Sequence, residues 1–200
     1  MDELIAVMSI TVLAVISPGS DFAMVSRNSY LYGKKAGMLT AIGIATAVWV
    51  HVFYTVFGVS ILLITFPILF HFIKILGACY LIYIGIQTYR HPVIQINLQL
   101  TDTLLTSMSA FKIGFITNAF NPKTTLFVLS TFTQMVNAKT SLWIQLGYGA
   151  FMSLAHLMWF ALVALLLSQT AIRHLLLAKQ VHVNRIIGVI LVVLGSLLLI

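Results

Sequence analysis

Two short clusters hold most of the reactive chemistry in this sequence. They are Ser17-Pro18-Gly19-Ser20-Asp21 and Asn118 followed by Asn121-Pro122-Lys123, each set inside an otherwise apolar run. Proline removes a backbone donor and clashes with the preceding turn, and glycine loosens the chain, so each cluster is expected to unwind or kink a helix. The helix that restarts after such a break begins with unpartnered amides and a partial positive charge, which suits a carboxylate. Asn121 before Pro122 has the composition of an N-cap followed by proline at the first helical position, and Ser17 before Pro18 repeats it. Kinking for packing alone is the bland alternative. Both breaks, however, coincide with a charged residue. A charge near the centre of a bilayer costs at least about 2.5–3.5 kcal/mol on insertion scales, so Asp21 and Lys123 need partners, water or a role. Asp21 is the weaker case, because it lies close to the end of its run and could serve as a cap.

His51 and His156 fall near the centres of two further apolar runs. A group titrating near neutrality can carry a proton there; the alternative is a neutral ring bonded to a neighbouring helix. Lys74 is placed to snorkel toward an interface. The only cysteine, Cys79, excludes an internal disulfide and a thiol pair, and reads as packing. Tyr54, Tyr80 and Tyr83 could line a cavity, a question that periodicity leaves open because every face is apolar.

The elements that must position these residues follow from composition. The chain has 200 residues, is 60% hydrophobic and 8% charged, and has a mean hydropathy of +1.06. A soluble surface carries roughly 25% charged residues, so this chain cannot build one. About 20 apolar residues cross a bilayer, which admits about six spans and little else. The net charge of +7 does not indicate a nucleic-acid partner, because the basic residues sit singly between apolar runs.

The expected spans are Leu4 to Ser26, Ala36 to Phe66, Pro67 to Tyr89, Ala110 to Val136, Leu142 to Gln169 and Val183 to Ile200. The first is expected to be a retained helix rather than a signal peptide, since Asp2 and Glu3 precede it in place of a basic region. A polar turn with Arg27, Asn28, Gly33, Lys34 and Lys35 follows it. Residues 91–109 form a polar connection between a first three-helix unit, 1–90, and a second, 110–200, within one transmembrane domain. Arg27, Lys34, Lys35, Arg90, Lys112, Arg173, Lys179 and Arg185 all fall in odd-numbered connections, against Lys139 on the other side. The positive-inside rule makes the odd connections cytoplasmic and places both termini outside.

Pro122 lies 104 residues after Pro18, about half the chain, and the same offset pairs Gly43 with Gly147 and Lys35 with Lys139; His51 falls one residue short of pairing with His156. Three helices per half make the halves enter from opposite sides. The fold expected is therefore an all-α polytopic membrane protein, six helices in a three-plus-three inverted-topology repeat with interrupted first and fourth helices. Gly37, Gly43, Gly77, Gly85, Gly147 and Gly149 are expected at close helix contacts. Trp49, Trp143 and Trp159 divide between interface and core, with Trp143 the clearest anchor.

At these motifs the sequence resembles the lysine exporter superfamily, in its homoserine/threonine exporter branch. The resemblance runs from about Ile10 to Leu198 and rests on Ser17-Pro18-Gly19-Ser20-Asp21-Phe22, Gly33-Lys34-Lys35-Ala36-Gly37, Gly77-Ala78-Cys79-Tyr80-Leu81 with Gly85, and Phe111, Gly114-Phe115, Asn118 and Asn121-Pro122-Lys123. Two departures stand out. Ser20 occupies a position that is often a second proline, and Phe132-Thr133-Gln134 replaces an aromatic-Pro-Gln run. The resemblance implies export of amino acids or their derivatives, threonine- or homoserine-like, from the cytoplasm of a bacterium across its inner membrane. It further implies a proton motive force as the drive and, often, a homo-oligomer.

On this reading Ser17, Pro18, Gly19, Ser20, Asp21, Asn118, Asn121, Pro122 and Lys123 form the substrate site. Pro18, Pro122 and Lys123 would hold the carboxylate, and Asp21 would meet the ammonium or carry the proton. Asp21, His51 and His156 are the proton-coupling candidates, and no cofactor or metal is expected. A membrane enzyme would need a nucleophile with a base or a metal-ligand pair, and no such motif occurs. A transporter or channel for another small solute stays open. A channel would show a row of polar residues rather than a cluster at one depth, and ion export would favour several carboxylates.

Overall fold

The computed structural model of the chain describes residues 2–90, 105–137, 139–168, 170–197 and 199; the side chains of Lys74, Arg173 and Lys179 and most of the 91–109 connection lie outside that set. Among the described residues there are seven α-helices and no strand: α1 Asp2–Ile16, α2 Ser20–Thr65, α3 Pro67–Arg90, α4 Ser107–Ala119, α5 Pro122–Met135, α6 Leu142–Leu167 and α7 Thr170–Leu197. Two described stretches, Ser20–Gly58 and Leu142–Leu167, are long and apolar enough to cross a membrane.

Local sequence explains the boundaries. The Ser17 amide closes α1 on the Leu13 carbonyl, Pro18 has no amide to continue it, and α2 restarts with the Ala23 amide on the Gly19 carbonyl. Ser17 is thus the end of α1 and not the expected N-cap of the next helix. Its hydroxyl instead pairs with Thr88 of α3 at 2.7 Å. The second break behaves as read from the sequence. Asn121 is the N-cap of α5, its side chain accepts from the Lys123 amide at 2.9 Å, and Pro122 takes the first helical position. Thr106 caps α4 by accepting from the Ser109 amide. The α2–α3 boundary falls on Phe66, the residue that Pro67 pushes out of helical conformation.

The polar turn expected from Arg27 to Lys35 is a helix interrupted at one residue. Gly33 has φ 82° and ψ 175°, which folds α2 into two arms. Asn28, expected in that turn, is buried, as is its neighbour Ser29. Asn28 donates to Thr40 across the bend at 2.9 Å. The final helix is also longer than expected, beginning at Thr170 instead of Val183.

Glycine lets the helices meet at backbone distance. A Cβ on Gly43 would fall 2.1 Å from the Phe111 carbonyl oxygen, and one on Gly114 2.1 Å from that of Thr40, so α2 and α4 touch main chain to main chain. Gly85 of α3 and Gly188 of α7 face each other's carbonyls in the same way. Gly149 receives Val52, and Ser153 donates to the Ala45 carbonyl at 2.8 Å, joining α6 to α2. Gly147 does not share this role, since nothing lies within 4 Å of its Cβ position.

The apolar core forms two clusters. One joins Val7, Ile10 and Ala14 of α1 to Val48, Val52 and Val56 of α2, Phe127, Val128 and Phe132 of α5, and Tyr148 and Met152 of α6. The other joins Val25, Ala41 and Ile44 of α2 to Phe160, Val163, Ala164 and Leu167 of α6. Trp159 packs on the second cluster and Trp49 on the first, while Trp143 is 81% exposed at the start of α6, as befits an interfacial anchor. Cys79 is exposed on α3 rather than packed.

Candidate functional site

The two breaks meet. Asp21, in the first turn of α2 and 5% exposed, accepts hydrogen bonds at Oδ2 from the amide nitrogens of Asn118 at 2.8 Å and Asn121 at 3.1 Å. Lys123, in the first turn of α5, reaches the opposite way. Its ammonium donates to the Ser17 carbonyl at 2.5 Å and the Pro18 carbonyl at 3.4 Å. Each break therefore supplies what the other lacks. The carboxylate sits at the start of a helix and the ammonium at the end of one, which are the favourable ends for those charges.

A cavity of about 20 Å³ lies at this junction, lined by Ala14, Val15, Ser17, Gly19, Asp21 and Phe22 on one side and Asn121, Lys123, Thr124, Phe127, His156 and Phe160 on the other. That volume suits about one water molecule, whereas small-molecule sites enclose roughly 300–1,000 Å³, so the site is too small for an amino acid in this conformation. Phe127 belongs to one core cluster and Phe160 to the other, which puts the cavity between them. Asp21 Oδ1 and Asn118 Oδ1 are buried without a hydrogen-bond partner. Such groups are costly to leave unmet, so each oxygen is available to accept a hydrogen bond from water or a ligand.

The anion-binding capacity of α5 is narrower than its break suggests. The Asn121 amide is taken by the Asn118 carbonyl, Pro122 has none, and the Lys123 amide is capped by Asn121. Of the first-turn amides only that of Thr124 is left to meet an anion.

The two histidines part company. His51 is fully buried outside the cavity, with Nε2 donating to the Asn118 carbonyl at 2.9 Å and Nδ1 close to the Tyr54 hydroxyl at 2.8 Å. His156 lines the cavity, and its Nδ1 donates to the Met152 carbonyl at 2.7 Å, leaving Nε2 as the basic nitrogen of the ring. Among the sequence candidates Ser17, Gly19, Asp21, Asn121, Lys123 and His156 line the cavity; Asn118 touches it through Asp21, and Pro18 through the lysine. Pro122 sets the start of α5, and Ser20 begins α2 without lining the cavity.

Sequence reasoning passed over Thr124, which accepts from Asn118 at 3.1 Å, Thr125, which lies 3.3 Å from His51, and the apolar lining of Phe22, Phe127 and Phe160. Thr124 and Thr125 follow Lys123 directly and were legible as the first turn of a capped helix. The phenylalanines gave no signal in a chain so rich in apolar residues. Tyr83 is 54% exposed on α3 and, like Tyr54 and Tyr80, does not line the cavity.

A helical protein with apolar spans and a buried, charged junction of two broken helices has the build of a membrane transporter. A model of the LysE type translocator family matches residues 12–200, and the chain belongs to that family, whose members are translocators and not enzymes. It is 30% identical over 202 residues to the uncharacterized membrane protein YahN of Escherichia coli, covering 96% of this chain and 87% of that one. It is 30% identical over 169 residues to the uncharacterized membrane protein YrhP of Bacillus subtilis, covering 80% of each. A third relative, the leucine efflux protein of Salmonella choleraesuis, is 32% identical over 126 residues, 63% of this chain and 59% of its own length. No solved structure matches.

Proposed function

We propose that this chain is a secondary active exporter of amino acids, driven by the proton motive force, in the bacterial inner membrane. The observation that carries the proposal is the junction of the two breaks, where a buried carboxylate and an ammonium border one small cavity and Asn118 backs the carboxylate from behind. A zwitterion has complementary charges. Its ammonium fits Asp21 and the carbonyls that follow α1, and its carboxylate fits the Thr124 amide and Lys123. Asp21 and His156 border the same cavity and are the nearest proton carriers; His51 acts through Asn118.

The lining adds a side-chain preference. Val15, Phe22, Phe127 and Phe160 offer an apolar wall, which suits a leucine-like side chain better than the hydroxyl of threonine or homoserine. The name of the Salmonella relative points the same way.

The architecture proposed is six spans in two oppositely inserted repeats, 1–90 and 110–200, joined by a cytoplasmic connection over 91–109, with both termini outside. Helix spacing supports it: α1 and α4 end 103 residues apart, at Ile16 and Ala119, and α3 and α7 begin 103 residues apart, at Pro67 and Thr170. The chain would work as one transmembrane domain, alone or within a homo-oligomer.

The test is efflux of a panel of radiolabelled amino acids, including leucine, threonine and homoserine, from cells producing the chain, with and without a protonophore. The expected result is protonophore-sensitive efflux of leucine above the other two, lost in an inserted Asn121→Ala, Lys123→Ala protein. Efflux of none of the panel would turn the assignment to a transporter or channel for another small solute.

A further inference from the structure

Lys123 occupies an unusual place for a cation. It stands in the first turn of α5, the helix end that disfavours positive charge, and its side chain leaves that helix for the Ser17 and Pro18 carbonyls. Those carbonyls lie in the break between α1, which ends at Ile16, and α2, which begins at Ser20, outside the backbone ladder of either helix. A primary ammonium on such carbonyls, beside a buried carboxylate, is also what the amino end of a free amino acid requires. Gly19 makes the room: a Cβ there would lie 3.3 Å from Lys123 Cδ and 3.6 Å from Nζ.

The cavity of about 20 Å³ cannot admit an amino acid unless something moves. Asn121 cannot move without uncapping α5, and Asp21 is held by two amides. Lys123 is held only at its tip, on an unbranched stem, and can swing without opening a helix.

We infer that the Lys123 ammonium is a resident stand-in for the ammonium of the substrate. It caps the carbonyls that follow α1 in the empty carrier, and the incoming amino acid displaces it. This rests on the amino-acid reading above and adds what the site does when empty. Buried carbonyls in a membrane must stay satisfied, so the stand-in lets the carrier close and reset without cargo. Once displaced, the lysine is free to turn to the substrate carboxylate.

The test separates the two jobs of Lys123 with isopentylamine, which is leucine without its carboxylate. Binding of isopentylamine and of leucine to the purified full-length protein is measured by calorimetry in wild type, Lys123→Met and Lys123→Arg. Removing an internal competitor raises the fraction of competent sites, so Lys123→Met should bind the amine at least about fivefold more tightly, and Lys123→Arg should match wild type. Unchanged or weaker amine binding by a monodisperse Lys123→Met protein overturns the stand-in. If that variant does not stay monodisperse, the neutral Lys123→Gln serves with the same two outcomes. Wild-type protein that binds leucine, with an amine affinity the variants do not raise, refutes the stand-in alone. Wild-type protein that binds neither ligand refutes the amino-acid reading, and the stand-in falls with it.

Discussion

Asn118 joins the carboxylate, the start of α5 and a histidine. Its amide nitrogen reaches Asp21 and Thr124, and its carbonyl takes His51. Hydrogen bonds to charged groups are worth about 1.5–3 kcal/mol, so Asn118→Ala should lower stability by roughly that amount, read as a fall in melting temperature, and reduce leucine efflux at least about tenfold. Asn121→Ala loses a helix cap, worth about 1 kcal/mol, together with a second donor to Asp21, and should behave alike. The identity of these residues was legible because amide, carboxylate and ammonium groups are rare in apolar runs. Their pairing was not. Asp21 and Asn118 lie 97 residues apart and Lys123 and Ser17 lie 106 apart, and a sequence without the packing of α2 on α4 cannot say which charge meets which partner. The sequence suggested a lysine facing substrate, whereas the folded chain holds it on carbonyls.

At the scale of elements, proline and glycine carried opposite kinds of information. Pro18, Pro67 and Pro122 each mark a helix boundary to within two residues, because a missing amide acts on the local backbone whatever surrounds it. Glycines mark contacts only when a partner is present, and the sequence could not tell Gly43, pressed on Phe111, from Gly147, whose Cβ position has no neighbour within 4 Å. Gly43→Ala and Gly114→Ala each drive a methyl group into backbone that cannot rotate away. Overpacking typically costs about 1–3 kcal/mol, and with main chain as the obstacle both should reach the upper end, read as poor yield of monodisperse protein. Gly147→Ala should leave yield and efflux unchanged. Gly33 was placed in a turn by the sequence, but not as the one residue that makes it. The polar residues around it suggested a loop, yet one residue at positive φ turns the chain and lets Asn28 and Ser29 stay helical and buried.

For the whole molecule, the all-helical membrane character was legible from hydropathy and charge, while the arrangement of helices had to come from the folded chain. The distribution of Lys and Arg predicts that alkaline phosphatase fused after residue 200 is active and that a fluorescent protein fused there stays dark; the reverse pattern would contradict the proposed orientation. The central claim is that the junction of the two breaks couples amino-acid movement to protons. Its most direct test is leucine transport in proteoliposomes of the full chain under an imposed pH gradient, comparing wild type with Asp21→Asn. The account predicts that wild-type transport accelerates with the gradient and collapses with a protonophore, and that Asp21→Asn loses the acceleration. Leucine transport that ignores the gradient, or an Asp21→Asn protein that responds to it as wild type does, would contradict it.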